Sequence, residues 1–139
     1  MTMQKSFEFS SDSVKLEDFR NDLKKLLTET GFEEKPINEI LLAVQEAVTN
    51  IIRHAYKEQG KGKFSVQFEE DEEKVKFSIR DYGKKFDPTK RPDPDLPRGT
   101  PGGLGIYLIK NVMDEVTYDE SFTEGNLIHL IKYKKKSHS

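Results

Sequence analysis

Glu46 and Asn50 stand one helical turn apart in the stretch "EAVTNIIRHAY". Residues four apart share a helix face. An amide oxygen suits Mg²⁺, a hard cation that takes oxygen ligands and phosphates. A carboxylate one turn away can accept a proton from a nucleophile or position water. The alternative is that both residues line the solvent edge of an amphipathic helix, and the spacing alone leaves both readings open. A second group lies in "RDYGKKFDP", residues 80–88, where Asp81 and Gly83 follow a strand pattern. Asp there serves either as a backbone-capping turn residue or as an acceptor for an exocyclic amine such as that of adenine. Gly83 would let a flat ring approach the backbone. The third group is "GTPGGLGIYLI", residues 99–109, with Gly99, Gly102, Gly103 and Gly105 leading into a helix pattern. A Gly-rich loop ending at a helix N-terminus offers free N–H groups to phosphate, although such a loop can also be Gly-rich only because it turns. It lacks the Gly-Lys-Ser/Thr of a P-loop and the third Gly of a dinucleotide fingerprint.

The elements that must position these groups follow from periodicity. "KSFEFSS" alternates Phe7 and Phe9 with polar residues, as a short strand does. "SDSVKLEDFRNDLKKLLTETGF" reads as a helix on Val14, Leu16, Phe19, Leu23, Leu26 and Leu27, with Gly31 as its stop. Pro36 sits near the start of a second helix, expected from about Ile37 to Tyr56. Its apolar stripe runs from Ile40 and Leu41 to Ile51 and Ile52. "FSVQFEE" and "KVKFSIRDY" are alternating strands joined by a polar hairpin. A long aperiodic segment then holds five of the six prolines, between Pro88 and Pro101. Loops of that length inside a domain are usually functional or disordered. "LGIYLIKNVMDEV" resumes as a helix, and "VTYDESF" and "NLIHLIKYK" are expected as closing strands around a Gly125-Asn126 turn. The order β-α-α-β-β-loop-α-β-β favours a mixed or antiparallel sheet with helices on one face, an α+β sandwich.

Composition narrows the function classes. The 139 residues suit one domain, and 23 basic against 25 acidic residues leave a net charge of −2. That balance supplies no global field for nucleic acid or membrane. The absence of Cys excludes disulfides, thiolate chemistry and cysteine-ligated zinc. His54, His129 and His138 have no metal-ligand spacing. No apolar run reaches the roughly 18 residues of a membrane span, and "MTMQKSFEFSS" has no signal-peptide core. The expectation is a cytoplasmic protein that binds neither nucleic acid nor membrane directly.

Taken together, Glu-x-x-x-Asn on a helix, Asp-x-Gly after a strand, a long lid and Gly-Gly-Leu-Gly opening a helix resemble the ATP-binding domain of the GHKL superfamily, with its Bergerat-type two-layer α/β sandwich. That superfamily includes DNA gyrase, histidine kinases and MutL. Within it, "LAVQEAVTNIIRHAY", "RDYGKKFDP" and "GGLGIYLIKNVMDEVTY" are similar to the anti-sigma-factor serine/threonine-protein kinases. The resemblance spans about Phe7 to Tyr133, and implies one histidine-kinase-like ATPase domain over residues 1–139 with a lid at about 84–104. It implies ATP and Mg²⁺ in a cleft between the helices and the sheet. By the match, Asn50 holds the metal and Glu46 is the general base for a serine hydroxyl. Asp81 accepts from the adenine amine and Gly83 shapes its pocket, while Gly103, Leu104 and Gly105 meet the phosphates. The family's partners are an anti-anti-sigma factor of STAS type and a sigma factor, and its members often form homodimers.

The chain departs from the family pattern at Lys85, where many relatives carry a second Gly, and in a lid stiffened by Pro92, Pro94, Pro97 and Pro101. His54 reads as structural and Arg53 as solvated. Three other functions stand beside the kinase. A nucleotide-gated binding module without catalysis would be expected to lack Glu46. A histidine-kinase catalytic domain would normally come with a helical phosphoacceptor hairpin, and a gyrase-like ATPase with a transducer domain.

Overall fold

The computed structural model describes residues 3–10, 16–51, 62–83 and 103–134, without the side chains of residues 103–105. Arg53, His54, Lys84, Lys85, His138 and the expected lid through residue 102 lie outside the described residues. The elements run β1 (Met3–Ser10), α1 (Leu16–Thr28), α2 (Glu34–Asn50), β2 (Lys63–Glu70), β3 (Lys74–Asp81), α3 (Gly103–Val112), β4 (Glu115–Tyr118) and β5 (Asn126–Tyr133). The sheet has the order β1-β2-β3-β5-β4. Every neighbouring pair is antiparallel, which resolves the mixed-or-antiparallel alternative.

Alternation along the strands sends every second side chain toward the helices. Register then stacks these side chains into rows across β2, β3 and β5. Phe68, Phe77 and Leu130 form one row, and Val66, Ile79 and Ile128 form the next. All six are buried. The following row is Phe64, Asp81 and Asn126. Thus the buried face turns polar at one end of the central strands.

The helices cover that face as a layer in which α2 packs between α1 and α3. From α2, Ile37, Ile40, Leu41, Val44 and Val48 enter one core with Phe77, Ile79 and Ile106. Truncating such a side chain to Ala costs about 2–5 kcal/mol. At the sheet's first edge, Phe19 of α1 meets Phe7 and Phe9 edge-on, at centroid distances of 5.2 and 5.0 Å. Each edge-on pair adds about 0.5–1.5 kcal/mol beyond burial.

Element ends have local causes. Pro36 lies in the first turn of α2, where a missing N–H costs nothing. The helix therefore begins three residues earlier than the apolar stripe suggested. After α1, the Thr30 hydroxyl donates to the Leu27 carbonyl at 2.6 Å, and Gly31 takes φ +92° to turn the chain. α3 stops at Val112 rather than near Val116, because Asp114 N–H already pairs with the Ile131 carbonyl of β5 at 2.8 Å. The Lys132 ammonium donates to the Val112 carbonyl at 2.7 Å and offsets the negative helix end. β4 ends at Tyr118, not Phe122. The Asp119 carboxylate accepts from the Ser121 N–H and hydroxyl, at 2.9 and 2.6 Å, and this side-chain turn replaces the ladder.

Candidate nucleotide-binding site

Asn50 is the last residue of α2 and is only 7% exposed. The apolar stripe of the helix carries it inward along the row Ala43, Ala47, Asn50. Its Oδ1 is buried and has no hydrogen-bond partner among the described residues. An orphaned buried carbonyl oxygen costs about 1–3 kcal/mol. Oxygen of this kind is what a hard cation takes as a ligand, so the residue fits Mg²⁺. Glu46, one turn back, is half-buried, and about 6 Å of helix rise separates the two positions. Among the described residues, no three His, Asp or Glu side chains group as a metal cage.

Asp81 ends β3 on the buried face and is 1% exposed. Its Oδ1 accepts from Gly83 N–H at 3.0 Å and from the Asn126 amide at 2.9 Å. Burial pushes the Asp81 carboxyl above the ordinary aspartate value, and the Asn126 and Gly83 donors with the nearby Arg80 charge pull it partly back. The turn reading of Asp81 holds, because Oδ1 accepts from the Gly83 N–H and closes the turn.

Around Asp81 lies a support that the sequence reasoning missed. The Tyr118 hydroxyl of β4 donates to Asn126 Oδ1 at 2.6 Å. The Arg80 guanidinium donates to the carbonyls of Asp81, Glu124 and Asn126 at 3.0, 3.1 and 3.2 Å. It lies 4.6 Å from the Tyr82 ring centre and 4.1 Å from that of Phe122. Gly125 has φ +71°, and a Cβ there would lie 2.1 Å from the Asp81 carbonyl oxygen. One signal was readable: in the alternating run Asn126, Ile128, Leu130, a carboxamide occupies a core-facing position.

Gly103, Leu104 and Gly105 form the first turn of α3, where a helix presents unpaired N–H groups and its positive end. Since α3 packs against α2, the Gly-rich helix start and the Glu46–Asn50 helix belong to one layer. A separate open groove, lined by Glu34, Lys35, Asn38, Glu39 and Leu42, borders the opposite half of α2 and contains none of these residues.

Comparison with known proteins agrees with this architecture. The family model described as the histidine kinase-like ATPase domain matches residues 9–132. The serine-protein kinases RsbW of Staphylococcus aureus strains MRSA252 and Newman are each 39% identical over 127 residues, covering 84% of this chain and 78% of theirs. A crystal structure of the RsbU and RsbW domains of Rv1364c from Mycobacterium tuberculosis superposes with a TM-score of 0.64 at 17% identity, a likeness of fold. It covers 95% of this chain, which spans 33% of that one. The chain belongs to the histidine kinase-like ATPase domain family, among the relatives of the RsbW serine-protein kinases.

Proposed function

We propose that this protein is an ATP-dependent protein-serine kinase and anti-sigma factor of a partner-switching pathway. Its substrate is a serine on an anti-anti-sigma protein of STAS type, and it works in the cytoplasm as a homodimer that also engages a sigma factor. The observation that carries the reading is the buried, unpartnered Asn50 oxygen one turn from Glu46, in a chain 39% identical to serine-protein kinases.

Phosphoryl transfer demands positioning and charge neutralisation more than covalent help from the protein. Mg²⁺ held at Asn50 would neutralise phosphate charge. Glu46 takes the proton of the serine hydroxyl as that oxygen bonds to the γ-phosphorus of ATP. The bond from γ-phosphorus to the β–γ bridging oxygen breaks, and ADP leaves with the electron pair. Asp81 accepts from the adenine amine beside Gly83. The N–H groups of Gly103, Leu104 and Gly105 receive phosphate oxygens at the α3 start.

The test is intact-mass spectrometry of a serine-bearing STAS protein incubated with this chain, ATP and Mg²⁺. One added phosphate, lost when the acceptor serine is replaced by Ala, is expected. ATP binding with no phosphate on any such protein would favour a nucleotide-gated binding module and overturn the kinase reading.

A further inference from the structure

We infer that Tyr118 and Asn126 are positioning residues that set which oxygen of Asp81 meets the nucleobase, and so set the preference for a 6-amino purine. The inference rests on the nucleotide reading above and concerns residues that reading leaves unused.

The argument begins with donor direction. An ionised carboxylate only accepts hydrogen bonds. The Asn126 atom that faces Asp81 Oδ1 at 2.9 Å must therefore be the amide nitrogen. The amide oxygen then faces Tyr118, whose hydroxyl must donate at 2.6 Å. The chain runs one way, from Tyr118 hydroxyl to Asn126 amide to Asp81 Oδ1. Gly83 N–H supplies a second donor to the same oxygen at 3.0 Å. Both protein donors thus act on Oδ1, and Oδ2 has no hydrogen-bond partner among the described residues.

The backbone holds this arrangement in register. Asp81 and Asn126 are direct cross-strand partners. Gly125 brings its own backbone so close to the Asp81 carbonyl that a Cβ is excluded. Arg80 ties the carbonyls on either side of that approach together. Asn126 is 6% exposed, so its amide is not free to reorient into solvent.

The consequence is a carboxylate with one oxygen committed to the protein and the other, among the described residues, left as an open acceptor. An amine at the purine 6-position donates to such an oxygen. A hydrogen there gains nothing, and a carbonyl oxygen there is repelled. If Asn126 or Tyr118 loses its donor, the carboxylate can rotate and Oδ2 is no longer reserved. A proton on the carboxyl also becomes easier to hold, and a protonated oxygen repels the amine.

The test measures the dissociation constants of ATP and of purine riboside triphosphate, which lacks the 6-amine, for wild type, Asn126→Ala and Tyr118→Phe. Circular dichroism checks the fold of each variant. Wild type is expected to prefer ATP by about 10- to 100-fold, as for a hydrogen bond to a charged group. In Asn126→Ala that ratio is expected to fall toward one, with the affinity for the 6-desamino nucleotide nearly unchanged. Tyr118→Phe, which keeps the ring and its packing, should lower the ratio by about threefold, as for loss of one indirect hydrogen bond. If both nucleotides weaken together and the ratio survives in both variants, the residues are merely structural and the inference is overturned. If Asn126→Ala does not fold, an unchanged ratio in Tyr118→Phe overturns it by itself. A wild type that binds neither nucleotide would instead sink the nucleotide reading, and the inference with it.

Discussion

The C-terminal end of α2 and the paired ends of β3 and β5 both bury polar groups, but they satisfy them differently. Asn50 leaves its Oδ1 without a partner among the described residues. Asp81 receives two donors at Oδ1, and one of them, Asn126, is held in turn by Tyr118. A buried polar atom left unpaired costs stability, while a paired one roughly breaks even. Among the described residues, the first end therefore leaves a buried acceptor unfilled. The second is organised in advance by its own neighbours. In the proposed kinase these are two tasks, since the α2 end handles the metal and the proton while the β3–β5 end recognises the base.

That division can be broken most sharply at Glu46. Glu46→Ala should slow phosphoryl transfer by about 10²–10⁴-fold, the usual contribution of a general base, and leave ATP affinity largely intact. Single-turnover transfer beside a binding isotherm checks both, and an unimpaired rate removes Glu46 as the base. At the other end, Gly125→Ala attacks organisation rather than chemistry. The positive φ and the 2.1 Å approach to the Asp81 carbonyl should cost about 2–4 kcal/mol of stability in urea unfolding. A cost near zero would mean that the approach is not tight.

A matched pair of variants sharpens the comparison. Asn126→Ala removes a donor from a buried carboxylate and should cost about 1–3 kcal/mol. Asn50→Ala removes an oxygen that has no partner among the described residues, and should leave the free protein as stable as wild type or slightly more so. Equal losses in the two variants would erase the distinction between the ends.

The smallest effect is in pH. The folded Asp81 carboxyl lies above the ordinary value of 3.8 because burial penalises its charge. The folded state then binds the proton more readily than the unfolded chain. Asp81 therefore lowers stability as pH rises from the ordinary value through the raised one. Asp81→Asn, whose Oδ1 can still accept from Gly83 and Asn126, should remove this pH dependence and raise stability at neutral pH while weakening ATP binding. In wild type, ATP affinity should fall as pH drops through the raised value. An affinity that is flat there would contradict an ionised acceptor.

Much of the fold was legible in the sequence because both periods are strong. Phe64, Val66 and Phe68 alternate cleanly, as do Val75, Phe77 and Ile79, and α2 carries a continuous stripe. Element ends were less legible, because their causes are contacts between distant segments. The stop of α3 at Val112 depends on Asp114 pairing with Ile131 and on Lys132 reaching the last carbonyl. For the candidate site, the spacing of Glu46 and Asn50 marked two residues on one face, and it did not show that the amide oxygen is buried and unpartnered. The support of Asp81 was the least visible part. Tyr118, Asn126 and Arg80 meet through strand register, with Asn126 lying 45 residues from Asp81 in the chain. Only the polar residue at the head of an otherwise apolar alternation pointed to it.

Calorimetric titration of ATP, with and without Mg²⁺, into wild type and Asn50→Ala tests the central claim most directly. Expected is Mg²⁺-dependent binding to wild type that is clearly weaker in Asn50→Ala, with free-protein stability unchanged between the two. ATP affinity that is the same with and without Mg²⁺ and with and without that amide would contradict the metal role of Asn50, and no binding of ATP at all would contradict the site itself.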